Sequence, residues 1–455
     1  MAGENTSVKT NDFGVGSIPG NIIKMAVPIT VAQLVNCLYN IVDRIFIGRI
    51  PEASTLALTG VGLCFPIVSM VMAFANLFGM GGAPLCSIAR GAKENDRAKK
   101  IMGLSFSMLI VTGLLLTVIV LLFKEPLLYL FGASADTYSY ASDYLGIYIL
   151  GTVFVMISLG MNQFINSQGF SRVGMMTILL GAVVNIILDP VFIFVMHMGV
   201  KGAALATVIS QILSALWVLK FLTGKKIILK LEFKDMHFNL KLAGEVCSLG
   251  MAGFILSFTN ATVQLVCNKM LGVFGGDTYI AIMTVINSVR EIVTLPVTGI
   301  TSGTQPILGF NYGAKKYDRV KKGGRFGILC GIILAELVGL TIYFTVPVLI
   351  ACFNRDPEII AYGVKQAHIL TPFFFLCAFS HCMAGLLRGA GKSTVPMYIM
   401  MVVWCFIRVA YISIIVKFIP TIDVVFWGYP LTWFLSSIAF LYYYLRTDWV
   451  HGYTH

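Results

Sequence analysis

The chain has 455 residues, of which 57% are hydrophobic and 12% are charged, and its formal net charge is +12. Soluble domains carry about 25% charged residues, so this composition lies outside their range and indicates a membrane protein. The positive charge then needs no nucleic-acid partner, because Lys and Arg collect at the cytoplasmic surface of a membrane protein.

Apolar stretches of roughly 20 residues, enough to cross about 30 Å of hydrocarbon, recur along the whole chain. We predict twelve spans, at about 24–48, 54–80, 101–123, 138–160, 173–196, 202–222, 242–270, 279–300, 323–350, 360–386, 395–418 and 424–445. Residues 1–20 are polar and contain no signal peptide. With both termini in the cytoplasm, 23 of the 33 Lys and Arg residues lie inside, five lie outside and five lie within spans. This asymmetry favours that orientation.

The sequence repeats itself at an offset of 222 residues. The matched positions are Pro84, Gly91, Lys93, Asp96 and Gly169 in the first copy, which recur as Pro306, Gly313, Lys315, Asp318 and Gly391. Both copies of the basic cluster face the cytoplasm, so an even number of spans separates them. We predict an all-α membrane protein in which two six-helix bundles are related by a pseudo-two-fold axis along the membrane normal.

The domain prediction follows from this repeat. Residues 1–222 form an N-terminal lobe, 223–241 a cytoplasmic linker, and 242–455 a C-terminal lobe with a short cytoplasmic tail. The linker is polar and basic, and a few turns of amphipathic surface helix could form within it.

No cofactor chemistry is indicated. The ten cysteines are scattered without a CxxC pair, which argues against disulfides and against a structural metal site. No nucleotide-binding domain is recognisable, so we expect an ion gradient, of H⁺ or Na⁺, to drive any transport.

Buried acids mark the candidate site in the first half. An ionisable side chain inside a membrane is costly and is therefore a functional candidate. On the first span, Gln33, Asn36, Asn40 and Asp43 share one helical face, and on the fifth span Asn185 and Asp189 are four residues apart. Both carboxylates fall in the outer half of the membrane. We predict a proton or Na⁺ site formed by Asp43, Asp189, Asn185 and Asn40.

Two further features of the first span bear on this prediction. Pro28 removes a backbone hydrogen bond and favours a kink, so the first helix is a candidate for the element that moves. The alternative is that polar groups such as Gln33 and Asn36 only join helices to one another by hydrogen bonds.

The second half lacks both acids. With the first span aligned at a two-residue shift, its polar face falls on Ser257, Asn260 and Gln264, and Asp43 falls on Cys267; Asp189 falls on Tyr411. Glu291, Glu336 and Arg408 lie near mid-membrane instead. Either Arg408 pairs with one of the two glutamates, or an unpaired glutamate attracts a cationic substrate.

Two runs carry a family resemblance. Residues 38–48, with Asn40 and Asp43, and residues 185–194 followed by 199–207, with Asn185, Asp189 and Thr207, are similar to the multidrug and toxic compound extrusion (MATE) family, closest to its bacterial MepA-type and DinF-type branch. Residues 388–391 and 396–397 in the second half add to this resemblance. The resemblance implies a twelve-helix, two-lobe antiporter that exports amphipathic, usually cationic compounds in exchange for H⁺ or Na⁺. It also implies a cation site at Asp43, Asn185 and Asp189.

The chain departs from the family pattern in places. Asn166 stands where an arginine is usual, and the second-lobe acids of the NorM-type branch have no clear match. A cavity of this family would be lined by the polar faces, with Gln33, Asn36, Asn260, Gln264 and Glu291, and by soft or aromatic residues such as Met161, Phe164 and Met283. The alternative for these last three is that they face lipid or the core.

We therefore expect a secondary active multidrug efflux antiporter that works by alternating access. It would be a monomer in a bacterial inner membrane, with lipid, small organic molecules and a coupling cation as its partners. A lipid-linked oligosaccharide flippase of the same superfamily would share this plan, but few arginines lie within spans to hold a pyrophosphate. An intramembrane enzyme would need a nucleophile–base or metal cluster, and no HExxH or GxSxG motif occurs.

Overall fold

A computed structural model describes residues 12–47, 49–50, 54–353 and 356–451. The chain ends, expected in the cytoplasm, and Gly48, which closes the predicted first span, lie outside these ranges. The described chain is helical, with α1 Ile18–Ile47, α2 Ser54–Gly91, α3 Asn95–Leu122, α4 Lys124–Leu130, α5 Ala135–Tyr148, α6 Thr152–Ser167, α7 Ser171–Pro190, α8 Val200–Leu222, α9 Leu240–Gly313, α10 Tyr317–Phe353, α11 Pro357–Leu370, α12 Phe374–Gly389, α13 Thr394–Met400, α14 Arg408–Phe418 and α15 Ile422–Arg446.

Eleven helical segments within the described residues are long and apolar enough to cross a membrane. Four of them combine shorter elements. α5 and α6 join through the 3₁₀ turn Ile149–Gly151, and α11 and α12 through Thr371–Phe373. The π-helix Val191–Val195 extends α7, and the π-helix Met401–Ile407 joins α13 to α14. The protein is thus an all-α, multi-pass membrane protein.

Helix α9 accounts for two of the predicted spans. Its 74 residues are helical throughout, and the part that qualifies as a membrane span is Leu240–Leu271. Asn287 Nδ2 donates a hydrogen bond to Gln264 Oε1, 23 residues away. In a straight helix these residues would be about 35 Å apart. The contact therefore requires α9 to bend back between Gln264 and Asn287, that is, between the predicted spans 242–270 and 279–300.

The backbone repeats with the same offset as the sequence. α1 and α9 begin at Ile18 and Leu240, α8 and α15 begin at Val200 and Ile422, and the two 3₁₀ turns begin at Ile149 and Thr371. Each pair is separated by 222 residues. The duplication is therefore a property of the fold and not only of the basic turns.

The turns after α2 and α9 show how closely the copies agree. Lys93 and Lys315 both have a left-handed backbone, with φ of 64° and 56°. In each turn the next residue donates its N–H five positions back, from Glu94 to Ala89 O and from Lys316 to Asn311 O. This is the Schellman arrangement that ends helices, and it is unusual here because glycine normally takes the left-handed position.

Contacts between Cα atoms divide the chain into two units. The first is built on Val31–Gly250, and the second on Phe13–Thr30 together with the chain from Met251 onward. Relative to the predicted lobes, 1–222 and 242–455, two segments are therefore exchanged. Glycines allow each exchanged segment to pack closely on its unit. In the second unit, a Cβ on Gly303 would lie 2.6 Å from Ala26 Cα. In the first unit, a Cβ on Gly250 would lie 1.8 Å from Leu77 O.

In the first unit, α2 packs against α3, α5 and α6, and α8 packs against α5, α6 and α7. The linker belongs to this unit and is irregular up to the start of α9, apart from one 3₁₀ turn at Phe233–Asp235. The surface helix considered for 223–241 is thus absent from the linker as described. Ile227, Leu229 and Leu231 are buried, and the Gln168 side chain hydrogen-bonds both backbone groups of Leu229, which holds the linker to the first unit.

In the second unit, α10 packs against α11 and α12, while α15 packs against α11, α12 and α14. The segment before α1 docks on this unit. Phe13 is buried against the ring of Phe310, and its carbonyl oxygen accepts hydrogen bonds from Asn311 Nδ2 and Arg319 Nη2. The start of α1 is therefore held to the beginning of α10.

The crossing of α2 and α9 yields a stability prediction. Gly250→Ala should lower the midpoint of thermal unfolding in detergent, because the new methyl group overlaps Leu77 O and overpacking costs about 1–3 kcal/mol. Gly244→Ala is the matched control on the same helix, since a Cβ there meets nothing within 4 Å. Reactivity of the buried cysteines with a thiol dye reports both transitions. Equal midpoints for the two variants would contradict the close crossing.

Candidate functional site

The site begins where α7 and α8 run side by side. Gly202 lies against the Phe192 backbone, so α8 passes close to the end of α7. Asn185 and Asp189, four residues apart, then face α8 and are both fully buried. Asn185 Nδ2 lies 3.4 Å from Asp189 Oδ1 and 3.4 Å from Thr207 Oγ1. One amide thus joins the carboxylate to a hydroxyl on the neighbouring helix.

Helix α1 brings the second carboxylate to the same place. The side chain of Asp43 lies within hydrogen-bonding reach of the carboxyl group of Asp189. Among the described residues, Asp43 Oδ1, Asp189 Oδ2 and Asn185 Oδ1 are buried and accept no hydrogen bond. Three acceptor oxygens of this cluster therefore lack a donor. Since buried acceptors are normally satisfied, this donor set suits a proton or a cation with oxygen ligands.

Tyrosines surround the pair. Tyr39, one turn before Asp43, is close enough to interact electrostatically with both carboxylates, and Tyr144 of α5 is close enough to interact with Asp43. Tyr144 and Tyr148 stack with ring centroids 5.9 Å apart and are buried. The sequence reasoning missed these residues and Thr207, although Tyr39 and Thr207 lie inside the two runs that carry the family resemblance.

Other predicted residues of the first helix do not join the pair. Asn40 is exposed, and its Nδ2 donates to Asn36 O in its own helix rather than to a carboxylate. Gln33 and Asn36 are half-buried. Pro28 lies within α1, two residues before the position at which the helix passes from one contact unit to the other.

The soft and aromatic residues predicted for a cavity are in packed interiors. Met161, Phe164 and Met283 are fully buried, and a Cβ on Gly82 would lie 2.6 Å from the Phe164 ring. They therefore line no open surface in this structure, and the alternative of core packing describes them. An apolar side chain gives the same helical periodicity in both situations, so spacing could not separate them.

The polar residues of the second unit have separate partners. Gln264 bonds Asn268 and Asn287, while Asn260 and Glu291 are exposed. Glu336 Oε1 accepts the backbone N–H of Phe375 at 2.9 Å.

The predicted pairing of Arg408 with Glu291 or Glu336 is not formed. Arg408 is buried and donates to Thr432 Oγ1, with its guanidinium 4.3 Å from the centre of the Tyr429 ring. None of the ion pairs found in the described part of the chain includes it. An aromatic ring and a hydroxyl replace the carboxylate.

These features define a class of protein. A multi-pass helical membrane protein with an internal parallel duplication, and with a buried polar site on membrane helices, has the architecture of a secondary transporter. The comparisons with known proteins agree. The family model MatE matches residues 28–191 and 254–414, which is most of the chain and one stretch in each half. The chain therefore belongs to the MATE family of multidrug efflux transporters and is not an enzyme.

Curated relatives are similar over most of their length. The chain is 26% identical over 380 residues to the multidrug export protein MepA of Staphylococcus haemolyticus, covering 84% of this chain and 83% of the relative. It is 25% identical over 372 residues to MepA of Staphylococcus aureus strain NCTC 8325, covering 82% and 81%. Both matches agree with the branch suggested by the sequence motifs.

Solved structures share the fold. An outward-facing conformation of a multidrug resistance MATE family transporter of the MOP superfamily superposes with a TM-score of 0.91 at 21% identity, over 98% of this chain and 99% of that chain. A MATE structure in a bent conformation gives 0.88 at 21% identity, over 95% and 96%. At this level of identity the likeness establishes the fold alone.

Proposed function

We propose that this transporter exports amphipathic cationic compounds in exchange for H⁺ or Na⁺ by alternating access. The observation that carries the proposal is the meeting of Asp43 and Asp189, with three buried oxygens that lack donors. Two carboxylates in contact repel each other unless a proton or metal cation lies between them. Binding of the coupling ion would therefore stabilise this site, and the gradient of the same ion would drive export.

The coupling step that we propose runs through α1. This helix carries Asp43 and contributes Val31–Ile47 to the first unit and Ile18–Thr30 to the second. Binding a cation between Asp43 and Asp189 removes their repulsion. The position of α1 that has the lowest free energy then changes. Pro28 has no N–H to give to the helix, which lowers the cost of bending near the division between the two parts. Ion and drug then compete because they favour different positions of this helix.

The energetics of such an exchange are sufficient. One elementary charge that moves through 100 mV supplies about 2.3 kcal/mol. This corresponds to a concentration ratio of roughly fifty for the exported compound. An electroneutral exchange would draw on the pH gradient or on the Na⁺ gradient instead.

The remaining parts of the proposal concern placement. Twelve spans in two six-helix bundles are supported by the 222-residue repeat and by the fold-back of α9. Cytoplasmic termini are supported by the distribution of Lys and Arg. We propose a monomer, and we place it in the bacterial plasma membrane because its relatives are staphylococcal export proteins.

Transport by purified protein in liposomes tests the function. Ethidium is a permanent amphipathic cation, and its movement should depend on an imposed pH gradient or, with pH equal on both sides, on an imposed Na⁺ gradient. At least one gradient should drive ethidium against its own concentration difference, and collapsing that gradient should stop it. If neither gradient moves ethidium faster than in protein-free liposomes, the antiport proposal is wrong.

A further inference from the structure

Two arginines share one aromatic ring in the second unit. The Cζ atoms of Arg408 and Arg290 lie 4.3 Å and 4.8 Å from the centroid of Tyr429, so the two charges are at most about 9 Å apart. Arg408 and Tyr429 are each 2% exposed. Arg408 lies in the membrane-spanning segment Thr394–Phe418, and Arg290 lies in the part of α9 where the sequence predicts the span 279–300. An uncompensated charge is costly in both places.

Among the residues that the structure describes, the two positive charges have no negative partner. No ion pair within the described ranges includes either arginine, and Arg408 donates to the neutral hydroxyl of Thr432. Glu291 follows Arg290 directly, but neighbouring residues point to different sides of a helix and Glu291 is exposed. Cation–π contact with one ring offsets part of the cost and leaves two like charges close together.

The surroundings are neutral and rich in donors. Asn287 lies one helical turn before Arg290 and bonds Gln264. The centroid of the Trp404 ring lies 5.6 Å from the Arg408 guanidinium carbon. Amides, a hydroxyl and aromatic rings around two guanidinium groups suit a ligand with an anionic group on an aromatic body.

The repeat shows that this cluster is specific to the second half. The positions 222 residues before Arg290 and Arg408 are Val68 and Ile186, which carry no charge. Conversely, Asp43 and Asp189 correspond to Cys267 and Tyr411. The arginine pair therefore has no counterpart in the first half, and the acidic pair has none in the second.

The π-helix Met401–Ile407 ends directly before Arg408. Its wider turns break the regular helix at this point, and such segments occur frequently at functional sites.

We propose that Arg290 and Arg408 form a binding site for the carboxylate or sulfonate of an amphipathic organic anion. The inference goes beyond the proposed function, since it adds anionic compounds to the ligands of a transporter expected to export cations. Arg290 is half-exposed and makes the first contact, while buried Arg408 fixes the anionic group against Tyr429.

Equilibrium binding to the purified protein in neutral detergent, followed by fluorescence anisotropy at pH 8, tests the site. Fluorescein and rhodamine 6G are the probes, because they share the xanthene ring and carry opposite charge. The wild type should bind fluorescein saturably. Arg290→Gln, Arg408→Gln and the double variant should weaken fluorescein at least about tenfold, a change of about 1.4 kcal/mol. Their affinity for rhodamine 6G should change less than about threefold.

Arg325→Gln is the matched control, because Arg325 is exposed, contacts Tyr444 and lies outside the cluster. Arg290→Gln carries the test by itself if the variant at buried Arg408 does not fold. Adding phosphatidylglycerol to the micelles separates two sources of the anion. If phosphatidylglycerol displaces fluorescein, the site binds a lipid headgroup; if it does not, the site binds a soluble organic anion. Unsaturable fluorescein binding by the wild type, or unchanged binding by the double variant, would overturn the proposal. Neither result depends on an ion gradient, so both are independent of the antiport test.

Discussion

Replacing Asp43 with asparagine is expected to abolish gradient-driven export of ethidium in liposomes. The wild type should sustain a concentration ratio that approaches roughly fifty for each charge moved through 100 mV, and the variant should reach a ratio near one. Asparagine keeps the size of the side chain but cannot bind a proton at neutral pH, and its neutral amide is a weaker cation ligand than a carboxylate. The repulsion with Asp189 that an ion relieves is also lost, so the ion no longer changes the position of α1.

The matched control is Asp143→Asn. Asp143 forms an exposed ion pair with Lys201, with Nζ and Oδ2 3.5 Å apart, and within the described residues it makes no hydrogen bond or ion pair with Asp43 or Asp189. Exposed pairs contribute about 0–1 kcal/mol, so this variant should export ethidium like the wild type. The Asp43 variant must also elute as a monodisperse protein with wild-type unfolding temperature. Normal accumulation of ethidium by such a well-folded Asp43 variant would contradict the coupling role.

The second large effect is expected at Asp189. Asp189→Asn should also abolish gradient-driven export, because the coupling requires two carboxylates that repel each other and a single carboxylate has no such repulsion to relieve. The double variant with Asp43→Asn should be no worse than either single variant. Residues that act as a unit show such non-additive effects, whereas independent residues give effects that add.

Asn185 and Thr207 give this prediction a graded comparison. Thr207→Val removes the hydroxyl that Asn185 meets at 3.4 Å and leaves both carboxylates in place. Export by this variant should be reduced and should still respond to the gradient. If each single variant instead keeps part of the export and the double variant keeps much less than either, so that the two losses multiply, Asp43 and Asp189 serve separate steps.

Much of the fold is readable from the sequence, because membrane spans are defined by length and hydropathy. The repeat was visible at Lys93 and Lys315, and the same offset governs helix starts and 3₁₀ turns. Asp43, Asn185 and Asp189 were identifiable because a carboxylate inside a membrane is expensive wherever it points. The estimated depth of Asp43 and of Asp189 in the membrane was similar, which was enough to predict that the two carboxylates could lie close together.

The sequence did not predict which neighbours a side chain contacts. Asn40 shares a helical face with Asp43 yet bonds its own helix, and Met161 and Phe164 are packed inside the first unit. Helical spacing places a residue on a face but does not tell a core from a cavity. Arg408 was expected to find a carboxylate, and only the positions of Tyr429 and Thr432 show that it does not.

The exchange of segments between the two units was equally hidden. It depends on close helix crossings at Gly250 and Gly303, where the absence of a side chain lets backbones approach. Nothing in local sequence says which helix will lie in such a groove, since small residues permit many crossings. The prediction of lobes from the repeat alone therefore misses that α1 and α9 each contribute to both units.

The central claim is that the Asp43–Asp189 pair binds the coupling ion in competition with drug. Thermodynamic linkage makes this measurable without transport, because an ion that weakens drug binding must itself be displaced by drug. We would measure the dissociation constant of ethidium for the purified protein as a function of pH without Na⁺, and as a function of Na⁺ at fixed pH. The wild-type value should rise at least about tenfold with one of the two ions, and the double variant Asp43→Asn, Asp189→Asn should show no dependence on either. A wild-type affinity that is independent of both ions, or the same dependence in the double variant, would contradict the account.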